Sequence, residues 1–600
     1  MKLGVLLGAV LPLFASGSQA SPVQKAPVTW LAWSDDVFAR AKREKKLVVL
    51  DLQAVWCHWC HVMEETTYRD PEVVKILAEH YLAVQVDQDS RPDLSNRYEE
   101  YGWPATIVFR GDGVELAKRS GYIPPKPMAS MLQAFVDDPT PGPSAQPAHE
   151  TAGSGSTTLS PELRAELEKI HASQFDREHG GWGFANKWLD PPSVEYSLAR
   201  RKSGEKAIGK EEPTDFDAMA RRTLDAALAL VDPVWGGVYQ YSTGGDFKEP
   251  HFEKIMSFQA DDVRIYALAH ATYHDARYRD AAQAIHRFLH GFLTGPDGAF
   301  FTSMDADLVQ GEHSGEYFAL SDAERRKRGL PRIDTHVYAR ENGWAIRGLA
   351  GLYAWAGDES ALAEARQAAD SILAHRTLPG GGFRHGETDP AGPYLGDTLE
   401  MGQAFLALHE ATGERRWLVH AGQAAEFLAG KFAAKDAGFF TSVAPAAPSA
   451  PGLESPRNRG ENIDVARFAN LLFRYSGQAA HRKLAEQAMR YVSTPEIAKK
   501  PFTSGILLAD LEMSSDPLHV VVVGKKGDAK ALALFRAALA LPSSYRRIEW
   551  WDPAEGPLPN ADTEYPELDR PAAFACAGGR CSSPAYEAAD VSARVEALSR

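Results

Sequence analysis

A glycine turn followed by an aromatic or apolar residue recurs through the middle of this chain. The copies are Gly180-Gly-Trp-Gly183, Gly236-Gly-Val-Tyr239, Gly298-Ala-Phe-Phe301, Gly381-Gly-Phe-Arg384 and Ala437-Gly-Phe-Phe440. They stand roughly 55 to 85 residues apart, room for one turn and two helices of about fifteen residues. The segments between them, such as Met219–Val231 and Ala260–Phe292, carry helical patterning. Repetition at this period predicts stacked helical hairpins. Five copies, with a sixth candidate around Arg457–Tyr475, would close an (α/α)6 six-hairpin barrel over residues 160–500, with a pocket where the loops converge. An open solenoid is the alternative.

The chain is 600 residues long, too long for one core. Residues 21–137 have a different grammar. Trp30–Lys45 reads as helix, Leu47–Leu52 as strand, Cys60–His80 as helix and Leu82–Asp87 as strand. Ala105–Phe109 and Val114–Lys118 flank Gly111-Asp112-Gly113, a hairpin signal. Strands alternating with helices predict an α/β unit. Residues 138–159, rich in Pro, Gly and Ser, read as a linker. From residue 501 onward Val520–Gly524, Asp528–Leu541 and Arg546–Trp551 read as strand, helix and strand, a small C-terminal α/β element.

The first twenty residues have a charged start, an apolar centre and Ser18-Gln19-Ala20, the pattern of a signal peptide cleaved after Ala20. That predicts a secreted or periplasmic protein. No later stretch offers 18 uninterrupted apolar residues, so no membrane span is expected. A net charge of −15 argues against a nucleic-acid partner.

Only four cysteines occur, and two lie in Cys57-His58-Trp59-Cys60, directly after an apolar strand. In a strand–Cys-x-x-Cys–helix arrangement the first cysteine sits at the helix N-terminus, where the dipole and free amides lower its pKa. Cys57 is then the nucleophilic thiolate and Cys60 the resolving thiol. Asp51, six residues earlier on the strand, is a candidate proton acceptor for the resolving thiol. His58 favours the thiolate, and Pro104 in Gly102-Trp-Pro104, if cis, places backbone against the disulfide. Three other readings stay open. Cys57-x-x-Cys60-His61 is also a c-type haem attachment sequence. A metal site from Cys57, His58, Cys60 and His61 is the second, though four ligands in five residues hardly reach one tetrahedral ion. A purely structural disulfide is the third, although so short a loop adds little stability.

These motifs resemble a known family. Trp30-Leu-Ala-Trp33, Cys57-His-Trp-Cys-His-Val-Met63, Val86-Asp-Gln-Asp-Ser-Arg-Pro-Asp93 and Gly102-Trp-Pro104 are similar to the thioredoxin-like domain of the spermatogenesis-associated protein 20 family. The likeness continues through Gly180–Lys187, Tyr241-Ser-Thr243, Pro250-His-Phe-Glu-Lys254 and Asp305-Ala-Asp307 to Cys576-Ala-Gly-Gly-Arg-Cys581. It implies a thioredoxin fold followed by a six-hairpin barrel like those of sugar epimerases and glycosidases. This chain departs from the family at Ser257-Phe-Gln259, Glu341-Asn-Gly343 and Glu461-Asn-Ile-Asp464, where the family has Tyr-Asp-Asn, Trp-Asn-Gly and Pro-Ser-Gly-Asn.

In the barrel His251, Glu253, Asp305, Asp307 and Asp397 are the candidate pocket residues, with Asp334 and Glu341 in further loops or helix starts. Paired carboxylates with a histidine suit acid–base chemistry on a sugar, stacked on Trp182, Tyr239 or Trp344. The alternative is that they cap helices and tie loops together. Cys576 and Cys581 are expected to form a local structural disulfide, or else to exchange with Cys57 and Cys60. The expected function is thiol–disulfide exchange with a thiol- or disulfide-bearing protein client, beside a carbohydrate-type barrel. A sugar-binding or sugar-processing barrel with a regulatory or docking thioredoxin-like domain, and a non-enzymatic interaction module, are the alternatives. No cofactor and no metal ion is assigned.

Overall fold

The computed structural model describes residues 28–34, 36–145, 155–201, 214–447, 450, 452–566, 568–578 and 580–598. The signal-like segment and residues 146–154 of the expected linker lie outside the described residues.

The N-terminal unit is a four-stranded sheet in the order β2-β1-β3-β4, formed by β1 (Leu47–Gln53), β2 (Tyr81–Asp87), β3 (Ala105–Phe109) and β4 (Glu115–Ser120). β1 runs parallel to β2 and antiparallel to β3, and β3 returns as β4 through the Gly111–Gly113 turn. The unbroken apolar run of β1 is what a strand buried on both faces needs. Around it stand α1 (Asp36–Glu44), α2 (His58–Thr66), α3 (Pro71–His80), α4 (Pro92–Tyr98) and α5 (Pro125–Asp137). Two expected helices are shorter than their patterning. Leu31 bridges Val84, and of the expected helix Trp30–Lys45 only Asp36–Glu44 is helical. The expected helix Cys60–His80 is broken by Asp70-Pro71. The Asp70 carboxylate caps the amides of Glu72 and Val73, and Pro71 takes the first helical position, so α3 starts afresh.

The helical region is a closed ring of six pairs. The outer helices are α6 (Pro161–Ser173), α8 (Phe216–Ala227), α10 (Ala276–Phe288), α12 (Glu359–Arg376), α14 (Arg415–Lys431) and α16 (Ala479–Val492). Each precedes an inner partner: α7 (Pro191–Arg200), α9 (Met256–Tyr273), α11 (Ala339–Ala356), α13 (Leu395–Thr412), α15 (Arg459–Ser476) and α17 (Ser504–Ser514). Each inner helix packs on the next, and α17 packs back on α7, so the ring closes rather than running on as a solenoid. The expected sixth copy at Arg457–Tyr475 is the inner helix of the fifth pair; α16 and α17 make the sixth, joined without a glycine turn.

Sequence chemistry explains the ring. Inner helices are apolar around most of their circumference, as α11 shows, because neighbours enclose them. A Cβ on Gly348 would lie 2.5 Å from the Ala260 carbonyl oxygen, so glycine sets the α9–α11 approach. The recurring turns connect outer to inner helices. At Gly236 (φ +72°) a Cβ would fall 2.0 Å from the Ala284 carbonyl oxygen. A polar side chain in the first turn of each of four inner helices then holds the residue after the turn. Gln259 takes the amide of Val238, Asn342 that of Phe300, Thr398 that of Phe383 and Asn462 that of Phe439. Gln259, Asn342 and Asn462 thus have a structural duty in the segments 257–259, 341–343 and 461–464.

The last unit is a second four-stranded sheet built on β5 (Leu518–Val523), with β6 (Arg546–Trp551) parallel and β7 (Ala572–Ala577) antiparallel to it, backed by α18 (Ala529–Leu539). It lies where the inner helices end: Lys526 donates to Gly413 O, just past α13, and Asn560 lies against Gly477, just past α15. The thioredoxin-like unit covers the opposite, N-terminal ends. The described helices include none long and apolar enough to cross a membrane.

Candidate functional site

Cys57 and Cys60 are joined by a disulfide with their Cα atoms 5.3 Å apart. Cys57 is the N-cap of α2, extended at φ −89° and ψ 108°, and its Sγ accepts from the Cys60 amide at 3.2 Å. The sulfur thus lies at the positive end of the helix, where a thiolate is favoured. Pro104 follows a cis peptide bond at the start of β3. Asp51 is buried on β1, paired in register with Gln85 and Thr106, and accepts from Gln85 Nε2 at 3.1 Å. Burial pushes its carboxyl up to about 6, against that hydrogen bond.

The pair faces the barrel. Cys57 and Cys60 are 4% and 3% exposed, packed with Trp56, Ala54 and the barrel residue Ile255. Both histidines of the motif reach across. His58 Nδ1 lies 2.7 Å from Asp307 Oδ1, and His61 Nδ1 lies 3.0 Å from Asp307 Oδ2. Their spacing of three puts them on one face of α2, so one carboxylate holds both. The other nitrogen of His61, Nε2, lies 3.1 Å from the Val55 carbonyl oxygen. With acceptors at both nitrogens, the ring is satisfied only as the imidazolium. Burial lowers the His61 pKa, but the Asp307 hydrogen bond and the Asp305 charge outweigh it and raise the net value. Asp307 is held below the usual carboxylate range: burial works upward, and the hydrogen bonds from His58 and His61 outweigh it. Asp305 is pushed up to about 6 by burial.

A second pin has the same form with the domains exchanged. His385, from the barrel, places Nδ1 2.8 Å from Asp397 Oδ1 and Nε2 2.6 Å from the Asp89 carbonyl oxygen. Burial lowers its pKa, but the charge of Asp397 prevails and raises it. Asp397 also takes the Arg340 amide at 2.9 Å.

The expected barrel pocket therefore divides. Asp305 and Asp307 meet the α2 histidines, Asp397 meets His385, and Glu253 Oε1 takes the His58 amide at 3.3 Å. His251 stacks on Tyr241 with ring centres 4.3 Å apart, and burial pushes it down to about 4. A cavity of about 210 Å³ lies between the domains; of the expected carboxylates Glu341 lines it, beside Trp56, Asp89, Trp103, Arg340 and Trp344 among others. Of the three expected stacking rings only Trp344 reaches it. Trp182 is 1% exposed, sandwiched against His171 with its indole on the His171 carbonyl, and Tyr239 packs edge-on to Phe252 and Phe318. Asp334 bonds His336, and Glu341 pairs with Arg340.

Among the described residues, donor atoms of His61, Asp305 and Asp307 lie within 4.8 Å of one another, close enough to share a cation. Protein donors already occupy these oxygens: Gln310 and the Asp307 amide on Asp305, both histidines and the Gly311 amide on Asp307. The set is an ion-pair cluster complete in itself. Cys576 and Cys581 form the second disulfide across β7 and its return strand, at the far end of the barrel. Inner helices of 18 residues, about 27 Å long, separate it from Cys57, so the two pairs do not meet within one chain. Sequence reasoning placed His61 only in the haem and metal alternatives and missed its contact with the barrel, and it missed His385 and Asp89. The three-residue step from His58 to His61 was the available signal for the first.

Residues 18–137 match the family model Thioredox_DsbH, described as a protein of unknown function, DUF255. The mouse spermatogenesis-associated protein 20 is 26% identical over 315 residues, 47% of this chain and 39% of that protein, so the match spans about two fifths of the relative's length. The thiol:disulfide interchange protein DsbD 1 of Pseudomonas aeruginosa is 32% identical over 112 residues, 18% of this chain and 19% of its own. Among solved structures, the cellobiose 2-epimerase from Bacillus thermoamylovorans B4167 aligns with a TM-score of 0.43 at 13% identity, over 55% of this chain and 86% of that one.

Proposed function

We propose that this chain carries out thiol–disulfide exchange through Cys57 and Cys60, as a redox-responsive protein whose thioredoxin-like domain is docked on the mouth of its barrel. The observation that carries the reading is the disulfide at the N-cap of a helix, with the first-turn amide of Cys60 turned to the sulfur. The similarity of this segment to a thiol:disulfide interchange protein supports it. Because both sulfurs are buried against the barrel, a protein client gains access only when the domains part; a small thiol needs less opening. Export, read from the first twenty residues, supplies the oxidising surroundings in which such a pair is held as disulfide. The test is equilibration with glutathione redox buffers, together with insulin reduction, against Cys57→Ser. The wild type is expected to exchange and the variant to lose it. A wild-type pair that never exchanges with glutathione overturns the reading.

The inter-domain cavity favours a second reading, in which the barrel holds a small sugar. Its volume suits a single ring, and Trp103, Phe258 and Trp344 offer faces for stacking beside Asp89 and Arg340. Thermal shift across a sugar panel, repeated with Trp344→Ala, tests it; no response to any sugar counts against it.

A further inference from the structure

Helix α2 presents its N-terminal amides to two different acceptors. The Cys60 amide points to Cys57 Sγ, while the His58 amide, the first of the helix, points to Glu253 Oε1 on the barrel. Glu253 is 3% exposed, and its second oxygen, Oε2, is buried with no hydrogen-bond partner. A helix N-terminus stabilises negative charge, and two anions set on the same terminus oppose each other.

We propose that Glu253 is a positioning residue of the thiol site: its carboxylate on the first amide of α2 opposes the thiolate that Cys57 must carry, and so sets how readily the disulfide is reduced. The inference rests on the thiol-exchange reading and extends it across the domain boundary.

The chemistry is as follows. A small thiolate bonds to Cys57 Sγ, the Cys57–Cys60 bond breaks, and its electron pair leaves on Cys60 Sγ, which takes a proton. A second thiol attacks the mixed disulfide, releasing the oxidised small disulfide and the Cys57 thiolate. Two electrons have passed from the two thiols to the pair. One of their protons rests on Cys60 and the other on Glu253, whose carboxyl the new thiolate makes more basic. Burial already pushes Glu253 up to about 7, against its hydrogen bond to the His58 amide and the charge of the His58 ring; Asp307 adds to the rise. The titratable groups facing it are thus His58 on α2, Asp307 on the loop after Asp305, and Tyr241 on the hairpin that carries His251.

The full-length protein is equilibrated with glutathione buffers at pH 8, where Glu253 is ionised, and the dithiol fraction is read by alkylation and mass spectrometry. Glu253→Gln keeps an acceptor for the His58 amide but removes the charge. It is expected to shift the equilibrium about tenfold toward the dithiol, about 30 mV in potential. The pH profile of Cys57 alkylation should move to lower pH, and the difference from wild type should fade by pH 5.5. Glu253→Ala should shift the same way and carries the test should the amide variant misfold. Glu461→Gln, at a half-buried barrel carboxyl pushed up to about 7 by desolvation and bonded to Thr441 instead, should leave the potential unchanged. The proposal is overturned if Glu253→Gln leaves both readouts in place, if only Glu253→Ala moves them, or if Glu461→Gln moves them equally. A wild type that does not exchange at all removes the thiol reading itself, a different result from an exchanging wild type matched by its variant.

Discussion

Replacing Asp307 by Asn should release α2 from the barrel. The Asp307 carboxylate accepts three hydrogen bonds: from His58 Nδ1 at 2.7 Å, His61 Nδ1 at 3.0 Å and the Gly311 amide at 2.8 Å. The carboxamide keeps one acceptor oxygen and turns an NH2 group toward the donors the other oxygen had served. Either a histidine or the Gly311 amide then loses its partner, and the His61 imidazolium loses the charge that sustained it. The side chains of Asp307 and His61 are 1% and 5% exposed, so solvent offers little replacement. Hydrogen bonds to charged groups contribute roughly 1.5–3 kcal/mol each, and breaking a buried pair by removing one partner costs roughly 3–5 kcal/mol. An opening cost of about 3 kcal/mol is the expected loss, close to a hundredfold in the opening equilibrium. Hydrogen–deuterium exchange with peptide mass spectrometry reads this directly. Peptides covering α2 and residues 303–315 should exchange about a hundredfold faster, while those of α12 and α14, on the outer wall, stay as in wild type. If α2 exchange accelerates less than threefold, the Asp307 contacts do not hold the domains together, and the account of the interface fails.

Two further outcomes follow from the same contacts. His61 and His385 have folded pKa values above their ordinary ones, so their contribution is complete below about pH 6.5 and is lost as pH rises through the folded values. Glu253 and Asp305, pushed up to about 7 and 6 by burial, act in the same sense, while Asp307, held low, withdraws its contribution only in stronger acid. Docking should be tightest near pH 5 and loosen toward pH 8; hydrogen exchange of peptides covering residues 303–315, corrected for its intrinsic pH dependence, that is fastest at pH 5 contradicts this. At the other end, removing the Cys576–Cys581 disulfide by the double change Cys576→Ser and Cys581→Ser opens a loop of only five residues' separation, costing about 2 kcal/mol in urea denaturation. The potential of the Cys57 pair should not move; a shift beyond 10 mV would show that the two pairs communicate.

The architecture was legible where sequence signals are local and repeated. Glycine turns at a steady period gave the hairpins, and the apolar run before Cys57 gave the central strand, because each reflects a backbone demand that only a few residues meet. The sixth pair was misplaced because its connection carries no glycine, and Trp30–Lys45 was read too long because an amphipathic pattern continues into an extended edge. The carboxylates were the least legible. Nothing in Asp305-Ala-Asp307 tells that its partners are two histidines almost 250 positions earlier, since an acid reads the same whether it faces a substrate or a neighbouring domain.

Those carboxylates share a location, and that location accounts for them. Inner helices point their N-termini toward the mouth of the barrel, and each terminus leaves amides and partial positive charge that favour an acid. Asp397 and Glu341, in the first turns of α13 and α11, meet that demand directly. A mouth ringed with acids then offers a seat for a domain that brings cations or polarised amides, and α2 brings both: two histidines on one face and a free N-terminus. The same helix terminus that makes Cys57 a good thiolate is therefore what the barrel grips through Glu253. Reduction places a new negative charge at the point of grip. On the proposed thiol-exchange reading, docking and redox state are coupled by one set of amides, without any requirement that the barrel catalyse a reaction of its own.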